Sequence, residues 1–178
     1  MSIDIFRPCL VVSADVPADL EICNPWLPTS RRHVVALAFL SRTPYQHIDS
    51  LHHSPFFLQP IFRGEGFFHL LSQFQDNHFL FAYLADYQMD PSRAVPLMTC
   101  SIFNDFDHIT LVRADVLNAG IKEEEARNVV EFLLDSYGND EEYRTVENFN
   151  KLPEKFDHDV FVAQQRNKWS NNLHDVNV

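Results

Sequence analysis

The sequence predicts an α+β fold, a mainly antiparallel β-sheet (a meander of four or more strands) flanked by helices, and three observations carry that prediction. Successive segments alternate apolar and polar side chains with period two and are separated by short connections, as antiparallel neighbours require. The stretch that follows Asn118 and Gly120 switches to the helical period. The chain has 178 residues, 46% of them hydrophobic, which suits one domain with a real core; it uses 16 phenylalanines against 4 glycines.

Residues 6–13, FRPCLVVS, read as a short strand or an extended arm. Pro17, Pro25 and Pro28 make residues 15–30 a loop, because proline removes a donor and biases its predecessor away from helix. Val34–Leu40 is an unbroken apolar run that suits a buried strand or the face of a short helix, and its length favours the strand. Residues 42–60, with Pro44, Pro55 and Pro60, return to loop. Gly66–Tyr87 reads as two strands around Asp76-Asn77, a pair that tolerates positive φ in a tight turn. Phe68, Leu70 and Phe74 share one side of the first; Phe79, Phe81 and Tyr83 share one side of the second. A helix from Glu65 to Gln75 competes, since Phe67, Leu70, Leu71 and Phe74 also fit three-four spacing. Val95–Phe103 sets Met98, Cys100 and Ile102 against Leu97, Thr99 and Ser101, with Pro96 at its start or on an edge. Ile109–Ala114 sets Ile109 and Leu111 against Thr110, Val112 and Ala114.

Beyond the break, Ala126, Val129, Val130, Leu133, Leu134 and Tyr137 form one apolar stripe. They predict a helix of about 17 residues covering one face of the sheet. Glu123, Glu124 and Glu125 crowd its first turn, where the helix dipole favours negative charge. Gly138 reads as a left-handed helix end and Tyr143–Phe149 as a further strand. Past Pro153, Asp157 is placed to cap a last helix that begins in FDHDVFVAQQ. The final dozen residues, NKWSNNLHDVNV, are polar and expected to fray or meet a partner. The expected organisation is an N-terminal arm with strands over 1–50, an α+β domain over 51–165 and a polar tail over 166–178.

A net charge of −11 argues against nucleic acid or an anionic membrane as partner, since both call for Lys/Arg surface. No apolar run reaches the ~18 residues of a membrane span, so no direct membrane insertion is expected. Cys9, Cys23 and Cys100 are odd in number and lack a Cys-x-x-Cys, which points to a reducing compartment. The opening MSIDIFRPCL has neither a secretory apolar region nor the Arg-rich character of a transit peptide, so no presequence is evident.

The chemical inventory leans against an enzyme. His47, His52 and His53 are the nearest approach to a metal cluster, but they lie in a proline loop with no ligand partner at the usual spacing. Gly64-Glu65-Gly66 lacks the third glycine of a dinucleotide loop, and no Gly-x-Ser-x-Gly elbow exists. Cys100 sits at an alternating strand position and reads as a core thiol. No catalytic residue, cofactor or metal is assigned. Arg113 has two readings, a salt bridge to Asp115 or a recognition arginine at an interface, and the salt bridge is preferred. A few of the phenylalanines near Pro55–Gly66 are expected to form an exposed patch of the kind that marks protein partners.

The runs LMTCSIF, ITLVRADV, EEEARNVVEFLLDSYG, YRTVENFN and PEKFDHDVF resemble the mitochondrial ATP synthase assembly-factor family that chaperones the beta subunit of the catalytic head. The resemblance covers about residues 56–162 and is strongest from Leu97 onward. Its most specific parts are the Leu-Val-Arg-x-Asp strand end and Phe149, Asn150, Pro153, Phe156 and Asp157. It implies a mitochondrial, matrix-side protein that binds the free beta subunit until the alpha subunit takes its place, with no cofactor and no catalysis. Candidate partner-binding residues are Arg113, Asp115, Phe56, Phe57, Phe149, Asn150, Phe156 and Asp157. The first 50 residues depart from the family pattern of a cleavable presequence and a helical, often basic N-terminal region. The alternative is therefore a permanent accessory subunit of the assembled ATP synthase, built on the same domain.

Overall fold

The computed structural model of the chain describes the backbone of residues 9–11, 33–41, 48–106 and 109–175, and the side chains of 51–103 and 112–170. Among the described residues, seven strands make one antiparallel sheet: β1 (Cys9–Val11), β2 (His33–Ser41), β3 (Phe56–Arg63), β4 (Gly66–Gln75), β5 (His78–Tyr83), β6 (Met98–Phe106) and β7 (Ile109–Val116). β3 to β7 form a meander, and β2 then β1 extend it past β7, giving the order β1-β2-β7-β6-β5-β4-β3. The class is α+β, as the alternation predicts. Asp76 and Asn77, at φ 49° and 63°, turn the chain between β4 and β5. Two left-handed residues match the twist of the strands they join, and the competing helix over Glu65–Gln75 does not form. Val34–Leu40 lies within β2, and the expected loop over 15–30 lies outside the described residues.

The ladder registers place Phe57, Gln59 and Ile61 of β3, Leu70, Ser72 and Phe74 of β4, and Phe79 and Phe81 of β5 on one face. Met98, Cys100, Val112 and Ala114 continue it across β6 and β7. Over this face lies α3 (Glu123–Gly138), whose buried residues include Ala126, Val129, Val130, Leu133 and Tyr137, with Leu134 half-buried beside them. Tyr137 packs on Phe79 at 5.4 Å and donates its hydroxyl to the Ser54 carbonyl at 2.8 Å. At the N-terminus of α3, Glu125 accepts from the Lys122 backbone N–H at 2.8 Å and from Arg63 Nε at 2.6 Å. That pairing ties the helix start to the end of β3 and places an acid where the helix dipole favours one. Gly120 sits in a close approach: an added Cβ would lie 2.7 Å from Leu97 Cδ2 and 2.8 Å from Tyr83 Oη, so those side chains would have to shift to admit it.

Four expectations are corrected. Gly138 does not end its helix in a left-handed turn; it lies inside α3, and Asn139 follows in an extended conformation at φ −116°. Asn139 then caps α4 (Asp140–Lys151), its Oδ1 accepting from the Glu141 N–H at 2.9 Å. The strand read at Tyr143–Phe149 is therefore helix. Tyr143, Val146 and Phe149 recur every three residues, and this face packs on the core with Val146 fully buried. Residues 42–60 are not a continuous loop, since they contain α1 (Ile48–His53) and the first half of β3. Residues 42–47 lie outside the described residues. The second hairpin strand stops at Tyr83 instead of Tyr87, and α2 (Leu84–Met89) follows at once. After α4, a 3-10 turn at Pro153–Lys155 leads into α5 (His158–Asp175).

Candidate partner-binding surface

The eight residues singled out from the sequence fall in two places. Arg113 and Asp115 are neighbours on β7, on the face away from α3, and Arg113 Nη2 donates to Asp115 Oδ1 at 2.8 Å. Asp115 is almost wholly buried while Arg113 keeps part of its surface. The other six gather where β3, α4 and α5 meet. Phe57 is in the core, 1% exposed, with Phe132, Phe149 and Phe161 around it at 5.4–6.0 Å between ring centres. Phe156 joins the same group through Phe149 and Phe161, both at 5.2 Å. Phe56 points to the opposite side of β3 and packs on Tyr87 of α2. Asn150 accepts from the Phe56 N–H at 3.1 Å and donates to the Phe56 carbonyl at 2.6 Å. Its side-chain amide thus does for β3 what the backbone of a further strand would do. Asp157 caps α5, accepting from the N–H groups of Asp159 and Val160, each at 3.1 Å.

The open part of this region is made by α5 running along the outer edge of β3. On one side Phe161 meets Phe57; on the other Trp169 meets Phe62 at 5.9 Å. The Arg166 guanidinium lies 4.6 Å over the Phe62 ring and 5.9 Å over that of Phe67, and its Nη2 donates to the Glu65 carbonyl. Phe67 is 43% exposed and Val160 51%. Arginine stacked on aromatic rings with apolar groups in water beside it is a composition enriched where proteins meet. Between β3, α3 and α5 a cavity of about 190 Å³ opens, lined among others by Gln59, Phe132, Asp135, Lys168 and Trp169. Sequence reasoning missed this place. Its signal was Gln59, a lone amide inside the apolar run FFLQPIF.

His69 and His158 face each other across the junction of β4 and α5, Nε2 to Nε2 at 3.1 Å, and the other ring nitrogen of His158 contacts Asp159 Oδ1 at 3.3 Å. Partial burial, then the nearby His158, lowers the pKa of His69. Of the histidines considered as ligands, His52 packs edge-on against Phe74 at 5.2 Å, and His47 lies outside the described residues. Among the described residues no three His, Cys, Asp or Glu side chains stand together to hold a metal. Burial, with Asp115 adding to it, pushes the Cys100 thiol up to about 12, so it stays protonated and unreactive. Among the described residues no helix is long and apolar enough to cross a membrane.

A family model described as ATP11 protein matches residues 29–162, more than half of the chain. No curated protein and no solved structure matches the chain.

Proposed function

The chain belongs to the ATP11 family of ATP synthase assembly factors, and from that membership we propose that it is a non-enzymatic binding protein for the free beta subunit of the catalytic head. On this reading it works in the mitochondrial matrix and holds the beta subunit until the alpha subunit takes its place. Membership is the observation that carries the reading. An unassembled beta subunit exposes apolar surface that its neighbour later buries. A binder that covers this surface lowers the concentration of the aggregation-prone species by mass action. Release then needs no nucleotide hydrolysis, because an alpha subunit that buries more surface displaces the binder by competition. The aromatic and arginine ridge along α5 and the tip of the β3–β4 hairpin supports this reading, with Phe67 and Val160 exposed on it.

The test is mass spectrometry of what co-purifies with the native protein. Free beta subunit without the other head subunits is the expected result. Recovery in fixed proportion with intact ATP synthase would instead make the protein a permanent accessory subunit. Recovery of neither would remove the reading.

A further inference from the structure

Where α5 begins, the fold brings two imidazoles together at the surface. His69 of β4 and His158, the first residue of α5, set their Nε2 atoms 3.1 Å apart. Both open to solvent: the His158 side chain is 45% exposed and His69 is half-buried. The two rings do not meet in line. In a straight N–H···N hydrogen bond the ring centres would lie about 5.4 Å apart, since each centre sits ~1.15 Å behind its nitrogen. They lie 4.9 Å apart, so the ring axes meet at an angle. A divalent ion ~2.05 Å from each nitrogen, and in line with each ring, would set the centres about 4.8 Å apart and subtend about 98°. That angle falls between the ~90° of tetragonal and the ~109° of tetrahedral coordination, the geometries of imidazole-bound transition ions.

We propose that His69 and His158 hold a divalent transition ion of the zinc class through their Nε2 atoms, stapling the start of α5 to β4. Three features around the pair suit it. Asp159 Oδ1 lies 3.3 Å from His158 Nδ1, so the proton of that ring sits on Nδ1 and leaves Nε2 bare, the tautomer a metal needs. The Phe67 ring stands edge-on to His69 at 5.2 Å and holds its orientation. The carboxylates of Asp157 and Asp159, on either side of His158 in the chain, offset the positive end of the α5 dipole, which would otherwise repel a cation. Among the described residues no third His, Cys, Asp or Glu side chain joins the pair, so water fills the remaining positions. Mg²⁺ and Ca²⁺ take oxygen ligands and gain nothing from two imidazoles. The unfolded chain does not hold these residues, 89 positions apart, at ligand spacing, so the ion favours the folded state by mass action. The inference stands apart from the beta-subunit reading and uses none of its premises.

The experiment titrates the full-length chain, first stripped with a chelator, with zinc chloride and separately with magnesium chloride. Binding is followed by calorimetry, by Tm and by the nitrogen-15 NMR signals of the imidazoles. Zn²⁺ should fill one tightest site per chain, move the Nε2 signals of His69 and His158 together and raise the Tm, and Mg²⁺ should do none of these. His69→Gln and His158→Gln should each weaken that site about tenfold or more and abolish the rise in Tm. His52→Gln should bind as wild type does, because that ring packs on Phe74. Unmoved Nε2 signals under saturating Zn²⁺ would mean that the pair is only hydrogen-bonded, and would overturn the proposal. So would tight zinc binding that survives both substitutions, since the ion would then sit on other side chains. Should a variant not fold, the imidazole signals of the wild-type chain decide.

Discussion

Asp115 keeps a carboxylate almost out of water, with Arg113 beside it at 2.8 Å. Removing one member of such a pair costs more than the pair itself contributes, because the remaining charge stays buried and unpaired. Arg113→Ala is therefore expected to lower stability by about 2–4 kcal/mol, a little under the range for fully buried pairs because the guanidinium is partly hydrated. Urea denaturation measures it, and an unchanged midpoint would free Arg113 for a role at an interface. A second residue-scale prediction concerns His69. Its pKa is lowered in the folded chain by burial and then by His158, so the folded state binds fewer protons there than the unfolded state. The stability associated with neutral His69 is present above the ordinary histidine value of 6.5 and is lost as pH falls from there through the folded value. The Tm should fall as the pH is taken from about 7.5 to about 5.5. His69→Gln should flatten part of that fall, and a variant with the wild-type profile would remove His69 as the cause.

At the scale of elements, periodicity was legible where the two faces differ in polarity, as in β6, whose Thr99 and Ser101 are polar though buried like Met98, Cys100 and Ile102 on the other face. β4 to β7 and α3 all alternate or recur cleanly, since one side of each is the more apolar, and their positions follow from apolar spacing. The misread elements share a different property. β3 is apolar on both faces and carries Pro60 in its middle, which reads as a loop. Pro60 has the same phase along β3 as Phe56, whose N–H and C=O point outward to Asn150. The missing donor is thus on the free edge and costs the ladder nothing, a condition that depends on strand order and not on local sequence. α4 has only three apolar positions on its buried face, and the run around Val146 looks equally like alternation. Two substitutions test the elements. Leu133→Asp puts a charge on the buried stripe of α3 and should remove cooperative unfolding altogether, at a cost of about 4 kcal/mol or more; circular dichroism reads it. Asn150→Ala deletes both hydrogen bonds to the edge of β3 and should cost about 1–3 kcal/mol in chemical denaturation. If Asn150→Ala is silent, water replaces the amide at that edge.

For the whole molecule, the candidate surface was far less legible than the fold, because it is assembled from residues about a hundred positions apart. Phe62 and Trp169, Gln59 and Lys168, and His69 and His158 become neighbours only once α5 lies along β3. The motif residues Phe149, Asn150, Phe156 and Asp157 turn out to build that junction: an aromatic cluster, an edge clamp and a helix cap. An open antiparallel sheet must protect its outer strand, since unpaired N–H and C=O groups recruit other chains. Here Asn150, Pro60 and α5 share the task at β3. α5 also covers Phe57 and Phe62, so it closes an edge and shields apolar surface with the same eighteen residues. Truncation after Phe156 removes that cover while leaving α3 and α4 on the sheet. The truncated chain is expected to keep its far-ultraviolet signal but to self-associate at micromolar concentration, seen as a rise in light scattering with protein concentration. A soluble monomer that unfolds as cooperatively as the full chain would show that Asn150 and Pro60 guard the edge unaided. α5 would then be free to leave β3, and the cavity that depends on its docking would be a feature of one state of the protein only.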